Sequence, residues 1–237
     1  MYHSLAGVYE FLVPEPLLSP EGSAAVFDDV LAGLAPGARV LDCACGTGTL
    51  AVGLALRSYE VDASDASPEM IVRTRALAQS RGARVGAEVA RWDALACGPY
   101  DAVFCVGNSL THAAGEEGRR AALGGMRGVL RDGGVLALTS RNWERPQEAG
   151  EEWVERGGRR ARVWREWRRG DPSILAIEIA VEDGETYAEA LEYWPFTHDH
   201  VLADLEAAGF APAADTWTPE GGHYFVTSRA KSSNASR

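Results

Sequence analysis

The chain has 237 residues, 46% of them hydrophobic and 24% charged, which is enough to bury a full core in one domain with a small insertion and excludes a disordered or fibrous protein. Its 23 basic and 34 acidic side chains leave a net charge of −11, which opposes attraction to nucleic-acid phosphates or anionic membrane and favours a small-molecule partner. Cys43, Cys45, Cys97 and Cys105 fall in or beside expected strands rather than in a disulfide framework, and neither a secretory leader pattern nor a long apolar run is found, so a cytoplasmic location is expected.

Residues 1–19 mix Tyr2, Tyr9, Phe11, Pro14 and Pro16, a composition that suits an arm, either pinned to the surface by its aromatics or lying as a lid over a pocket. Ser23 is expected to cap a helix running to about Leu34, and Ala35-Pro36-Gly37 stops it. From Val40 to Ala51 an apolar run ends in Asp42, a turn containing Gly46 and Gly48 follows, and helix formers take over: strand, loop, helix. Glycines there let backbone approach a ligand, and the N–H groups opening the next helix point into the same space. A helix from Thr49 to Arg57 leads to a second strand ending at Asp65. A right-handed crossover then puts the C-terminal ends of both strands on one sheet edge. Asp65 there either accepts two hydrogen bonds from a ribose or caps the helix that starts at Pro68.

The units repeat: Pro68 to Gln79 helix, Arg84 to Ala90 strand, Tyr100 to Val106 strand, Glu116 to Leu130 helix, Gly134 to Ser140 strand. This alternation predicts an α/β fold with a doubly wound, mostly parallel sheet. Met70 either packs against a flat base or belongs to the core, and Trp92 and Asp93 either read an adenine at the same edge or simply turn a loop. The pattern changes between residues 143 and 194. Three runs from Arg159 to Trp194 alternate apolar and polar residues, with an Asp183-Gly184 turn, and predict an inserted antiparallel β-hairpin subdomain. Arginines 159, 160, 162, 165, 168 and 169 interleave with Glu144, Glu148, Glu151, Glu152, Glu155 and Glu166, which reads as a solvated, salt-bridged face rather than a nucleic-acid patch. A helix from His198 to Ala208, strands near 211–217 and 223–228, and a polar tail from Lys231 complete the chain.

The glycine loop also fits a dinucleotide pattern, so a nicotinamide-dependent enzyme is an alternative. Asp42, four residues before Gly46, would crowd a pyrophosphate, whereas next to a sulfonium or an amino group an acid is favourable. The residues Leu41-Asp42-Cys43-Ala44-Cys45-Gly46-Thr47-Gly48, followed by Asp65-Ala66-Ser67 and Met70, resemble the signature of class I S-adenosylmethionine-dependent methyltransferases, from about Tyr2 to Ser228. Within that class the chain resembles the glycine N-methyltransferase group through Ala90-Arg91-Trp92, Val106 to His112, Ser140-Arg141-Asn142-Trp143 and Glu192-Tyr193-Trp194-Pro195.

The resemblance implies a Rossmann-like S-adenosylmethionine domain over 38–142 and 195–229, an N-terminal arm and helix over 1–37, an insertion over 143–194 covering the acceptor site, and a tail over 230–237. It implies that Asp42, Ala44, Gly46 and Gly48 line the methionine part of the cofactor, Asp65 and Ala66 the ribose side, and Met70, Trp92, Asp93 and Val106 the adenine side. Asn108 and Arg141 would hold the acceptor, Arg141 pairing with an amino-acid carboxylate or instead with Glu144 on the surface, and Tyr193 would orient the amine or simply fill the hairpin core. The family's N-terminal arginine has no counterpart before Arg39. The implied reaction is N-methylation of a small amine carrying a carboxylate, with S-adenosylhomocysteine as second product, no metal and a possible homo-oligomer. The alternatives are an O- or C-methyltransferase acting on a larger metabolite and a non-catalytic cofactor-binding module.

Overall fold

The computed structural model describes residues 4–95, 98–147, 149–182 and 184–232. Tyr2, Cys97, Glu148, Asp183 and the tail 233–237, named above, lie outside the described residues.

Strands β1 (Arg39–Asp42), β2 (Glu60–Asp65), β3 (Val85–Val89), β4 (Tyr100–Cys105) and β5 (Leu130–Arg141) join β10 (Phe210–Asp215) and β11 (His223–Ala230) in one seven-stranded sheet of order β10-β11-β5-β4-β1-β2-β3. All its neighbours pair in parallel except those of β11, which runs antiparallel to β5 and β10. The central strands are buried on both faces, as near-continuous apolar runs such as Ala102-Val103-Phe104-Cys105 require. Helices α5 (Gly115–Val129) and α6 (His198–Ala207) cover one face around Leu123, Met126, Leu205 and Phe210. Helix α3 (Thr49–Leu56) and the N-terminal helices cover the other around Phe27, Leu50, Leu54 and Phe104, with α4 (Pro68–Ser80) alongside. Strand order reverses between β1 and β4, so Asp42 and the Val106–Asn108 turn flank the point where open α/β sheets bind ligands.

The insertion is more independent than a hairpin added to the core. Strands β6 (Gly150–Arg156), β7 (Arg159–Arg168), β8 (Ser173–Val181) and β9 (Thr186–Tyr193) form a separate antiparallel sheet in sequential order. Its first strand escaped sequence reading because an edge strand facing water, with Glu151, Glu152, Trp153 and Glu155 exposed, carries almost no alternation. Three of the arginines do face water beside glutamates: Arg162 pairs with Glu151 and Glu178, Arg160 with Glu155 and Glu182, and Arg168 with Glu166.

The N-terminal segment also corrects the expectation. The arm forms 3-10 turns at Ala6–Leu12 and Glu15–Leu17, and Leu5, Val8 and Phe11 are buried against the inner face of the small sheet. Ser19, not Ser23, caps the first α-helix by accepting from the Gly22 N–H at 3.0 Å, with Pro20 in the first turn where no amide hydrogen is needed. The expected single helix is two, α1 (Pro20–Ala25) and α2 (Asp28–Leu31), broken where Phe27 leaves helical geometry and turns its ring onto Phe104 at 5.3 Å.

Candidate functional site

A cavity of about 1030 Å3 opens at the C-terminal edge of the large sheet, between the arm and the small sheet. It brings together seven of the residues singled out from the sequence: Asp42, Ala44, Gly46, Val106, Asn108, Arg141 and Tyr193. The arm contributes Tyr9, as the lid alternative expected, and Glu10; the small sheet contributes Arg165, Leu175 and Ile177, and β11 His223 and Tyr224, which sequence reasoning did not place in the site.

Asp42 ends β1 with 1% exposure, and neither carboxylate oxygen has a hydrogen-bond partner among the described residues. Burial pushes its carboxyl up to about 7; the backbone N–H groups of Ala44 and Ala51 pull it down without reaching hydrogen-bond geometry, and the Asp65 charge pushes it further up. A buried acid with both oxygens unspent, on the wall of a cavity, is suited to a cationic ligand.

Asp65 does something the sequence did not reveal. Its Oδ2 accepts from the Gly46 N–H at 3.0 Å and its Oδ1 from the Ser67 N–H at 2.8 Å, so the acid ending β2 ties down the glycine loop after β1. These two N–H groups hold its carboxyl down against the upward push of burial, which is the larger effect. The cap of α4 is Ser67, accepting from the Met70 N–H at 3.3 Å, so the alternative of Asp65 as helix cap does not hold.

The two loop glycines are required for different reasons. Gly46, with φ +52°, would point a Cβ at nothing nearer than Tyr9 Cε1 at 4.0 Å. Gly48 heads α3 with φ +86°, and a Cβ there would meet the Thr74 side chain at 2.7 Å and its Cα at 2.9 Å, so it is glycine for helix packing as well as for its turn. Gly48, Asp65, Ala66, Met70, Trp92 and Asp93 stand outside the cavity wall. Met70 is 2% exposed in the interior, Trp92 donates its indole N–H to the Cys43 carbonyl at 2.9 Å and packs on the core, and Asp93 is exposed beside Arg91.

On the opposite wall Asn108 adopts φ +67° and uses its side chain on its own neighbourhood. Its Oδ1 accepts from the Arg141 N–H at 3.0 Å and from Ser140 Oγ, and its Nδ2 donates to Thr111 Oγ1 at 3.1 Å. It thereby clamps the ends of β4 and β5 together and sets the height at which Arg141 leaves the sheet. The half-buried Arg141 guanidinium donates to Gln147 Oε1 at 3.1 Å and stands 5.9 Å from the Trp167 ring, while Glu144 accepts from the His198 N–H. His223, the register partner of Arg141 on β11, is held below the usual histidine range by burial and by the guanidinium charge.

Tyr193 closes this end in an aromatic cluster with His112, Trp143 and Trp167 at 4.5, 5.5 and 5.4 Å between ring centres. Burial holds His112 neutral, with its titration near 4, and its Nδ1 meets the Glu192 carbonyl at 2.9 Å. The Tyr9 hydroxyl, on the cavity wall, is raised to about 12 by burial and less by the charges of Tyr193 and Asp65. Among the described residues no cluster of His, Cys, Asp and Glu is suited to a metal, and no helix is long and apolar enough to cross a membrane.

The chain is similar to known methyltransferases. Residues 40–134 match the methyltransferase domain family. A glycine/sarcosine N-methyltransferase of Parasynechococcus marenigrum is 32% identical over 182 residues, covering 73% of this chain, and rat glycine N-methyltransferase is 32% identical over 122 residues. The chain spans 64% of the length of the first of these relatives and 41% of the second. Among solved structures, an S-adenosylmethionine-dependent methyltransferase from Clostridium acetobutylicum superposes with a TM-score of 0.79 over 98% of this chain and 99% of its own at 16% identity. An amino pentose methyltransferase from Micromonospora echinaspora, solved with S-adenosylmethionine bound, gives 0.76 over 97% and 98% at 23% identity. At those identities the solved structures establish the shared fold.

Proposed function

Since the chain belongs to the class I S-adenosylmethionine-dependent methyltransferases and resembles their glycine N-methyltransferase group, we propose that it transfers a methyl group to the nitrogen of a small amine bearing a carboxylate. The observation that carries this reading is one cavity lined by two groups of opposite character: a buried unpaired carboxylate, Asp42, and a strand-end guanidinium, Arg141.

Asp42 would face the cationic part of S-adenosylmethionine, and the Ala44–Gly46 backbone would line its methionine portion. Asp65, already tied to the glycine loop, would turn toward the ribose. S-adenosylmethionine supplies a methyl group on a sulfonium sulfur, open to in-line displacement by an amine lone pair. The chain's own contribution is positioning. Arg141 pairs with the acceptor carboxylate in the bidentate geometry a guanidinium offers, Asn108 fixes where Arg141 stands, and the Tyr193 hydroxyl orients the amine. His112, held neutral by burial, packs against Tyr193 and adds no charge of its own beside it. The acceptor amine loses its proton to solvent, so no strong general base is needed.

Rates of S-adenosylhomocysteine formation over a panel of amines, phenols and carboxylic acids test the reading, with Arg141→Ala alongside. Transfer to carboxylated amines is expected, with KM raised roughly 10- to 100-fold in Arg141→Ala, the loss of a charge-assisted pair. Transfer only to oxygen or carbon acceptors, or unchanged saturation by carboxylated amines in the variant, overturns it.

A further inference from the structure

We propose that Arg165 is a second anion-recognising residue of the acceptor pocket, so that the preferred amine carries, besides the carboxylate met by Arg141, a second carboxylate or a phosphate. The proposal rests on the N-methyltransferase reading above.

The register of β7 with β8 puts Ala161, Val163, Arg165 and Trp167 on one face, opposite Val181, Ile179, Ile177 and Leu175. Every one of these is apolar except Arg165, and the face they form packs onto Leu5, Val8 and Phe11 of the arm. An arginine in that row gives up part of its hydration, which packing alone does not return. Its side chain is 24% exposed and lines the cavity that Arg141, Tyr193, Leu175 and Ile177 line. The neighbouring arginines 160, 162 and 168 occupy the opposite, outward phase of the same strand and pair with glutamates in water.

Arg165 Nη1 contacts Glu152, a carboxylate 55% exposed at the rim. A rim pair of this kind contributes little and engages one of the five N–H donors of the guanidinium. The other donors have no partner among the described residues, so the planar fork is available to an anion inside the cavity. Arg141 can account for one carboxylate. A second guanidinium on the same cavity wall has no task toward an acceptor with one anionic group.

Initial rates measured with glycine, aspartate, glutamate and O-phosphoserine test this in the wild type, Arg165→Met and Arg165→Lys. The readout is the ratio of KM for glycine to KM for each two-anion amine. In the wild type the ratio is expected to exceed tenfold for at least one of them, and the carboxylate and phosphate arms show which anion is meant. Arg165→Met should lower the ratio tenfold or more, and Arg165→Lys, which keeps the charge without the fork, should restore part of it. If the methionine variant fails to fold, the lysine variant carries the comparison. A wild-type ratio near one, or a ratio unchanged by both substitutions, overturns the proposal and leaves amine methylation standing. Methylation of no amine at all overturns both.

Discussion

Replacing Asp42 by Asn should remove a pH dependence that runs against the usual carboxylate rule. The Asp42 carboxyl lies at about 7 instead of 3.8, about three units at 1.36 kcal/mol each, so the folded chain disfavours its ionised form by roughly 4 kcal/mol. A folded pKa above the unfolded one means that folding tightens the hold on this proton, so the cost to stability is absent below about pH 4, grows from there to pH 7, and is complete above. Asparagine cannot ionise and carries no such slope. The melting temperature of Asp42→Asn relative to wild type should therefore rise by about 8–16 °C between pH 4 and pH 8, whatever constant offset the amide introduces. A cationic ligand acts in the opposite sense, because wild-type Asp42 must release its proton to meet it. Affinity for S-adenosylmethionine should fall toward tenfold per pH unit below 7 in the wild type and lose that dependence in the variant. Scanning calorimetry for stability and titration calorimetry for binding, both from pH 4 to 8, measure the two effects. Parallel melting curves of the two proteins across that range would refute the account of Asp42 as a buried, unpaired acid.

Two further substitutions test the frame that holds the site. Gly48→Ala should cost about 2–4 kcal/mol by denaturant titration, since it strains a φ of +86° and drives a methyl into Thr74, while Gly46→Ala, which meets only Tyr9 at 4.0 Å, should cost about 1 kcal/mol. Equal costs would show that the loop, not the packing of α3 on α4, sets the requirement for glycine at 48. Asp204, 2% exposed, accepts from Arg119 Nε at 2.6 Å and from Arg120 Nε at 2.7 Å and so ties α6 to α5. Asp204→Ala should destabilise by about 3–5 kcal/mol by leaving Arg119 buried without its carboxylate, and a loss below 1 kcal/mol would show that Arg119 finds water instead.

The α/β core was legible because its signals are local: a strand ending in Asp42, glycines at the turn, an acid at 65, and apolar runs with period-matched helices between them. The N-terminal break was not, because Ser19-Pro20 and Ser23 offer competing caps and the kink at Phe27 is set by its distant contacts with Phe104 and Phe225. The edge strand β6 has no alternation to read. For the site, the family resemblance singled out Asn108 and Arg141 beside the strand-ending acid Asp42, and the topology that brings strand ends together explains why they share one cavity. Their partners stayed hidden: that Asp65 serves the glycine loop and Asn108 the Arg141 amide depends on side-chain directions no spacing encodes. Arg165 was grouped with its solvated neighbours, although it stands in phase with Ala161, Val163 and Trp167, and that phase was the available clue.

The clamp at Asn108 changes how kinetic losses at this position translate into recognition. With Oδ1 and Nδ2 both committed to Arg141, Ser140 and Thr111, and a left-handed backbone that asparagine tolerates better than most residues, the side chain works as a keystone between two strand ends. Truncating it releases Arg141 from its stance before any acceptor arrives, so a rate deficit there records lost alignment of a neighbour. Direct recognition is measured at the Arg141 side chain itself, where the group removed is the one proposed to meet the acceptor carboxylate.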